Sequence, residues 1–231
     1  MTVLVIAAHP DDEVLGCGGT IAQLAEAGHS VYVAILGEGI TSRCPQREQA
    51  DPELVAALES CSHRVARLLG IKDVSVHRLP DNRFDTVPLL DIVKIVERLV
   101  DDLRPQMIYT HHGGDLNMDH ATTFRAVLTA TRPVTSCSVK ELYAYEVPSS
   151  TEWAFGQLGA SFCPNVFVNI TSTLQKKLDA MQVYESEARP FPHPRSVEAL
   201  RALARVRGST AGLEAAEAFQ LIRSTRGLRA L

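Results

Sequence analysis

The chain has 231 residues, 23 of them basic and 27 acidic, for a net charge of -4, a length that one α/β domain spanning residues 1–231 accommodates without division. That balance lacks the basic footprint of a protein that binds nucleic acid or an acidic membrane, and favours a small neutral or mildly polar partner. Five scattered cysteines, Cys17, Cys44, Cys61, Cys137 and Cys163, without CxxC spacing, argue against a disulfide framework or a Cys-rich zinc site and for reduced thiols in a cytosol. The N-terminus runs from a few apolar residues straight into a polar motif, unlike a signal peptide. No apolar stretch approaches the ~18 to 20 residues of a membrane helix, so a cytoplasmic protein without a membrane span is expected.

In chain order, residues 2–8 read as a buried strand, ended by Pro10, and a helix from about Gly18 to Ala27 stops at Gly28. Val31 to Leu36 is a second strand. Asp51 before Pro52 reads as an N-cap with proline at the first helical position, and Leu54, Leu58, Cys61, Val65 and Leu68 then recur at helical spacing up to Gly70. A strand over Val74 to Leu79, an amphipathic helix from Leu89 to Leu103 and a strand over Met107 to Thr110 follow. A further helix carries Phe124, Val127 and Leu128. Leu142 to Glu146 and Asn165 to Ile170 add two strands. From about Thr171 the chain reads as helical, interrupted by the proline-rich loop Arg189 to Arg195. Strands alternating with helices predict an α/β, Rossmann-like three-layer fold with a mainly parallel central sheet and helices on both faces.

Two polar clusters stand where such a fold does its chemistry, just past the carboxyl ends of strands. The first is His9-Pro10-Asp11-Asp12-Glu13. The second is His111-His112-Gly113-Gly114-Asp115-Leu116-Asn117-Met118-Asp119-His120. Burying so much charge calls for a compensating cation, and His with carboxylate is a borderline ligand set that suits zinc. If the two strands are neighbours, their ends converge into a metal site assembled from distant sequence.

HPDDE after the first strand, paired with DxNxDH after the fourth, resembles the PIG-L/LmbE-like metal-dependent N-deacetylases. Pro192 to Ser196, Arg207-Gly208 and Ala216 to Phe219 extend the likeness over essentially the whole chain. The resemblance implies that His9, Asp12 and His120 hold a zinc ion and that Asp11 is the general base. It implies removal of acetyl from an N-acetylated amino sugar of the N-acetylglucosamine type, and a homo-oligomer. Asp119 would orient an imidazole. Some relatives carry a histidine where this chain has Asn117, which cannot act as an acid at neutral pH; the proton donor is left among His112, His193 and protonated Asp11. Two other readings are an amidase acting on a different amide, such as a thiol-sugar conjugate, and a non-catalytic Rossmann-like nucleotide-binding module.

Plainer readings stand beside these. The lesser reading of Asp11 and Asp12 as a helix N-cap and a surface acid leaves His9 and Glu13 without a role. Glu13 is better read as a buried acceptor holding the loop than as an acid, and His111 as packed or supporting. Asp115 and Asn117 shape their loop through side-chain to backbone bonds. His193 and Arg195 divide evenly between substrate contact and loop structure, Arg43 reads as a solvated arginine, and Tyr143 and Tyr145 as sheet packing. Gly16-Cys17-Gly18-Gly19 lacks GxGxxG spacing and sits among carboxylates that would repel a pyrophosphate, so its glycines are assigned to close packing.

Overall fold

The computed structural model describes residues 1–134 and 136–225. Among them seven strands form one sheet in the order β3-β2-β1-β4-β5-β7-β6. The strands β1 (Thr2–Ala7), β2 (Ser30–Gly37), β3 (Asp73–Leu79), β4 (Met107–His111) and β5 (Glu141–Tyr145) run parallel. β7 (Ala216–Ser224) lies antiparallel to β5 on one side and to β6 (Val166–Asn169) on the other.

Strand periodicity divides the core. Val3, Val5 and Ala7 of β1 face one layer, with residues of α1 (Asp12–Glu26), α2 (Pro52–Leu69), α5 (Leu174–Val183) and α6 (Val197–Thr210). Leu4, Ile6 and Ala8 face the other, against α3 (Leu89–Leu103) and α4 (Met118–Ala130). Both faces of β1 are buried, which explains its unbroken apolar run. The expected three-layer fold is therefore present.

α2 begins and ends as its sequence predicts: the Glu53 N–H donates to Asp51 Oδ1 at 2.8 Å, Pro52 opens the first turn, and Gly70 closes it in the left-handed conformation at φ 75°. Two expectations need correction. The segment after Thr171 is not all helical, because Ala216–Ser224 pairs as β7 between two strands; alanine and glutamate there favour helix locally, and pairing on both edges overrides that preference. The first helix starts at Asp12, not near Gly18, and so carries the acidic motif in its own first turn.

That helix is broken. Cys17 sits at φ -148°, ψ 23°, which interrupts the ladder in which the Gly19 N–H would reach the Leu15 carbonyl. The Gly19 and Thr20 N–H groups donate to Glu217 Oε1 and Oε2 of β7, at 3.0 and 2.7 Å. The Leu15 carbonyl accepts from Lys177 Nζ of α5 at 2.9 Å. Lys177 and Glu217 are themselves paired at 2.5 Å and buried. One ion pair thus caps both halves of the break, the carboxylate standing at the amide end and the ammonium at the carbonyl end, as the helix dipole prefers. Gly16 and Gly19 let the broken helix sit against the sheet: a Cβ on Gly16 would stand 2.2 Å from the Tyr145 ring, and one on Gly19 would stand 2.9 Å from Ile170.

Removing one member of this pair strands the other. Glu217→Ala should cost about 3–5 kcal/mol of stability by urea unfolding, and adding Lys177→Met should return part of it. A single variant as stable as wild type would show that the pair does not hold the break.

Candidate metal centre and its cavity

The two strands that carry the polar clusters are neighbours, with Val3, Leu4 and Val5 of β1 opposite Met107, Ile108 and Tyr109 of β4. β2 leaves β1 on one side and β4 lies on the other, so the clusters meet at the point where strand order reverses. That is where an open α/β sheet leaves a crevice.

His9, Asp12 and His120 come together there, each offering a ligand atom within 4.8 Å of the others. Asp12 Oδ2 lies 3.3 Å from His9 Nδ1 and 3.3 Å from His120 Nε2, and accepts the His9 backbone N–H at 2.8 Å. The far nitrogen of each imidazole meets a carboxylate. His9 Nε2 is 2.9 Å from Asp119 Oδ2 and 3.3 Å from Asp81 Oδ1. His120 Nδ1 is 3.1 Å from Asp115 Oδ1. Carboxylates behind two imidazoles fix ring orientation and basicity, which is how histidine ligands of metals are ordinarily supported.

The supports are anchored in turn. Asp119 Oδ1 accepts the Phe84 N–H at 2.9 Å, and Asp115 accepts from the Ser150 hydroxyl, from Thr151 Oγ1 at 2.6 Å and from the Asn117 N–H at 2.9 Å. Asn117 caps α4, its Oδ1 taking the Asp119 N–H at 2.8 Å while its Nδ2 donates to Asn82 Oδ1 at 2.8 Å. Its side chain is spent on the loop.

Among the described residues, Asp12 Oδ1 is a buried carboxylate oxygen with no hydrogen-bond partner, and beside it His111 Nδ1 and His120 Nδ1 are also without one. A buried carboxylate oxygen left bare is costly unless something cationic takes it, and this one belongs to the residue that both imidazoles face. The donor set therefore fits a divalent ion. The local field agrees. Burial alone would lower His120, but Asp12 and Asp115 outweigh it and raise the ring to about 9. Burial pushes Asp115 up, yet the His120 ring 3.1 Å away and the hydroxyls of Ser150 and Thr151 bring it down to about 2. His111 stacks on His120 with ring centroids 4.0 Å apart and stays neutral, held below the usual range by burial and then by His120; its Nε2 accepts the Ala8 N–H at 2.8 Å.

Asp11 stands beside the ligands on a strained backbone, at φ 110°, a region that a non-glycine residue occupies only when its surroundings impose it. Here its carbonyl accepts the Val14 and Leu15 N–H groups, and its own N–H donates to Glu13 Oε2 at 3.1 Å. Glu13 Oε1 accepts the Tyr184 hydroxyl at 2.7 Å, so Glu13 is a brace under the turn, its carboxyl pushed by burial to about 7. Burial likewise raises Asp11 well above the ordinary carboxylate range, against the opposing pull of Arg195. Arg195 Nη1 donates to Asp11 Oδ2 at 2.7 Å and its Nε to Ser149 Oγ at 2.8 Å.

His9 and Asp11 form part of the wall of a cavity of about 300 Å³, with Asn117, Trp153, His193 and Arg195. His193 is thus brought to the site, whereas His112 is not. The His112 Nε2 lies 2.8 Å from the Ala160 carbonyl and its ring packs edge-on against Phe162, outside the cavity wall. Arg43 is also in the wall, its Nη2 donating to both oxygens of Glu187 at 2.7 and 2.6 Å; it is a paired residue and not merely a solvated one. Asp81, Trp153 and Glu187 escaped the sequence reading. Asp81 follows β3 as Asp11 follows β1, so the strand-end rule could have found it; nothing local marks Glu187.

The family model for PIG-L, GlcNAc-PI de-N-acetylase, matches residues 4–131, which include both polar clusters. An Escherichia coli (strain K12) protein named uncharacterized deacetylase YaiS is 28% identical, the match covering 80% of this chain and 90% of its own. A Thermococcus kodakarensis diacetylchitobiose deacetylase is 26% identical over 80% of this chain and 69% of its own. In fold, the chain matches N,N'-diacetylchitobiose deacetylase from Pyrococcus horikoshii with a TM-score of 0.77 at 22% identity, covering 96% of this chain and 84% of that one. It matches the 4-carboxy-2-hydroxymuconate hydratase GalB of Pseudomonas putida KT2440 equally well, with a TM-score of 0.77 at 23% identity over 99% of each. At such identities the structures speak for the fold alone.

If Asp115 supports His120 as the geometry indicates, Asp115→Ala should weaken divalent-metal affinity about 10- to 100-fold. Competition against a chromogenic chelator measures this, and an unchanged affinity would refute the supporting role.

Proposed function

As this chain belongs to the PIG-L family, we propose that it is a metal-dependent N-deacetylase that hydrolyses the acetamide of an N-acetylated amino sugar, releasing acetate and the free amine. The observation that carries this reading is the cluster of His9, Asp12 and His120, its imidazoles backed by Asp119 and Asp115, beside Asp11 at the wall of a cavity. We assign the ion to His9 Nδ1, Asp12 and His120 Nε2, and favour zinc because a borderline nitrogen and oxygen donor set suits it. When bound, the ion supplies Lewis-acid polarisation of the amide carbonyl and lowers the pKa of water.

The protein's own groups do the remainder. Arg195 holds Asp11 Oδ2, fixing the plane of the carboxylate. No hydrogen bond within the described residues engages Asp11 Oδ1, which is left to take the proton of the attacking water. Asp119 and Asp81 hold the His9 ring, and Asn117 keeps the loop before His120 in place. The cavity, about 300 Å³ with carboxylates and guanidinium groups in its wall, has the size and polarity for one sugar ring. His112 receives no role. The five cysteines are unpaired, which supports extending the reading to a reducing, cytoplasmic setting. Among the described residues no helix is long and apolar enough to cross a membrane.

The test is acetate release over a panel of N-acetylglucosamine derivatives, with and without chelator; turnover that chelation abolishes and zinc restores is expected. The same fold serves a hydratase, so the absence of acetate from every derivative would overturn the reading. Asp11→Asn, a residue type that tolerates positive φ, should keep the metal and lose about 10² to 10⁴-fold in kcat. Near-wild-type acetate release by that variant would remove Asp11 as the base.

A further inference from the structure

The leaving amine and the developing oxyanion both need help from a proton-bearing group. In the cavity wall the guanidinium groups of Arg43, Arg189 and Arg195 are already engaged by Glu187, by the Ser186 and Ala188 carbonyls and by Asp11. Asn117 is committed to capping α4 and to Asn82. The His112 ring is turned to the Ala160 carbonyl. His193 remains, in the cavity wall with His9 and Asp11. Its Nδ1 accepts the Arg195 backbone N–H at 3.1 Å. A nitrogen that accepts an amide hydrogen carries none of its own, so the ring proton resides on Nε2. No hydrogen bond within the described residues engages Nε2. The ring is also held from the side, edge-on to Trp153 with centroids 5.6 Å apart, and Trp153 belongs to the same wall.

From this geometry we infer that His193 is a catalytic residue of the proposed deacetylation, acting as a neutral imidazole whose Nε2–H donates a hydrogen bond to the amide oxygen as negative charge develops on it. The inference rests on the deacetylase reading and adds a role to it. An imidazole can hand a proton to an amine only as imidazolium, with hydrogen on both nitrogens, and the Arg195 N–H occupies the place of the second. The neighbouring charges act in the same sense: burial, then the guanidinium groups of Arg195 and Arg189, hold His193 below its ordinary range. A neutral imidazole polarises a carbonyl without titrating.

The reaction balances without a proton from His193. Water adds to the acetyl carbon as Asp11 takes one of its protons; a C–O bond forms and the carbonyl π pair moves onto oxygen, where the His193 Nε2–H meets it. The C–N bond then breaks, the carbonyl re-forms, and the proton held by Asp11 goes to the departing nitrogen. Acetic acid, which ionises in solution, and a free amine result. His193 ends as it began. With Asn117 spent on the α4 cap and on Asn82, proton transfer falls to Asp11 alone, and the wall supplies hydrogen bonding from a different loop.

The decisive comparison uses the metal-loaded enzyme and its His193→Ala and His193→Gln variants on an N-acetyl substrate and its N-trifluoroacetyl counterpart, with bound metal and unfolding midpoint checked for each. Loss of an oxyanion donor should lower kcat about 10²-fold with KM little changed, and glutamine, which keeps an N–H donor, should recover part of it. Fluorine withdraws charge from the oxyanion, so the alanine deficit should shrink on the trifluoroacetyl substrate. A deficit that stays the same or grows there would mark His193 as the proton donor to the amine and overturn the inference, as would an alanine variant with wild-type kcat. If the wild-type enzyme itself turns over neither substrate, the deacetylase reading has failed, and a long-range proton–nitrogen NMR spectrum of the imidazole still judges this residue. An Nε2–H tautomer at neutral pH upholds the assignment, and imidazolium or an Nδ1–H tautomer defeats it.

Discussion

The whole site answers to one constraint: Asp11, Asp12, Glu13, Asp81, Asp115 and Asp119 are all buried near the carboxyl edge of the sheet. Carboxylates out of water must be neutralised by protonation, hydrogen bonding or a cation, and the structure uses different means for different members. Asp119 and Asp115 lean on imidazoles and on backbone or hydroxyl donors, Asp11 on a guanidinium, and Glu13 on a tyrosine hydroxyl. Asp12 alone keeps a bare buried oxygen. The place proposed for the ion follows from that residue, and the division of labour among the acids follows from what each has been given to hold.

Topology makes the crowding attainable. A parallel sheet brings every strand end to one edge, and the reversal of order between β1 and β4 opens a gap there instead of a packed ridge. His9 and the first turn of α1, with Asp12, follow β1; Asp115 and the first turn of α4, with Asp119 and His120, follow β4; Asp81 follows β3. None of these turns could be placed so closely if β1 were not covered on both faces. Covering it requires the broken helix and its tight glycine contacts with Tyr145 and Ile170.

What could be read from the sequence, and what could not, divides along the same physical line. Apolar runs and helical spacing located five parallel strands and the helices between them, because burial on both faces leaves a continuous pattern. They misread Ala216–Ser224, where pairing partners far away in the chain decide the outcome. The two polar clusters were legible as strand-end groups of metal-ligand type, and the family likeness assigned them. Arg195 could be seen but not interpreted, since its partner Asp11 lies 184 positions away. Glu187 and Trp153 carry no local signal at all. The tautomer of His193 depends on a backbone hydrogen bond that no spacing rule expresses.

The capped break in α1 sets an order of events. The amides of Gly19 and Thr20 find their acceptor in Glu217, 198 and 197 positions later, on a strand inserted between two others. A ribosome therefore adds 198 further positions after Gly19 before the acceptor that caps the break behind the first acidic motif exists. Until Glu217 is made, the amides of Gly19 and Thr20 lack the acceptor that β7 provides, so the first acidic motif and β7 are tied together across the chain.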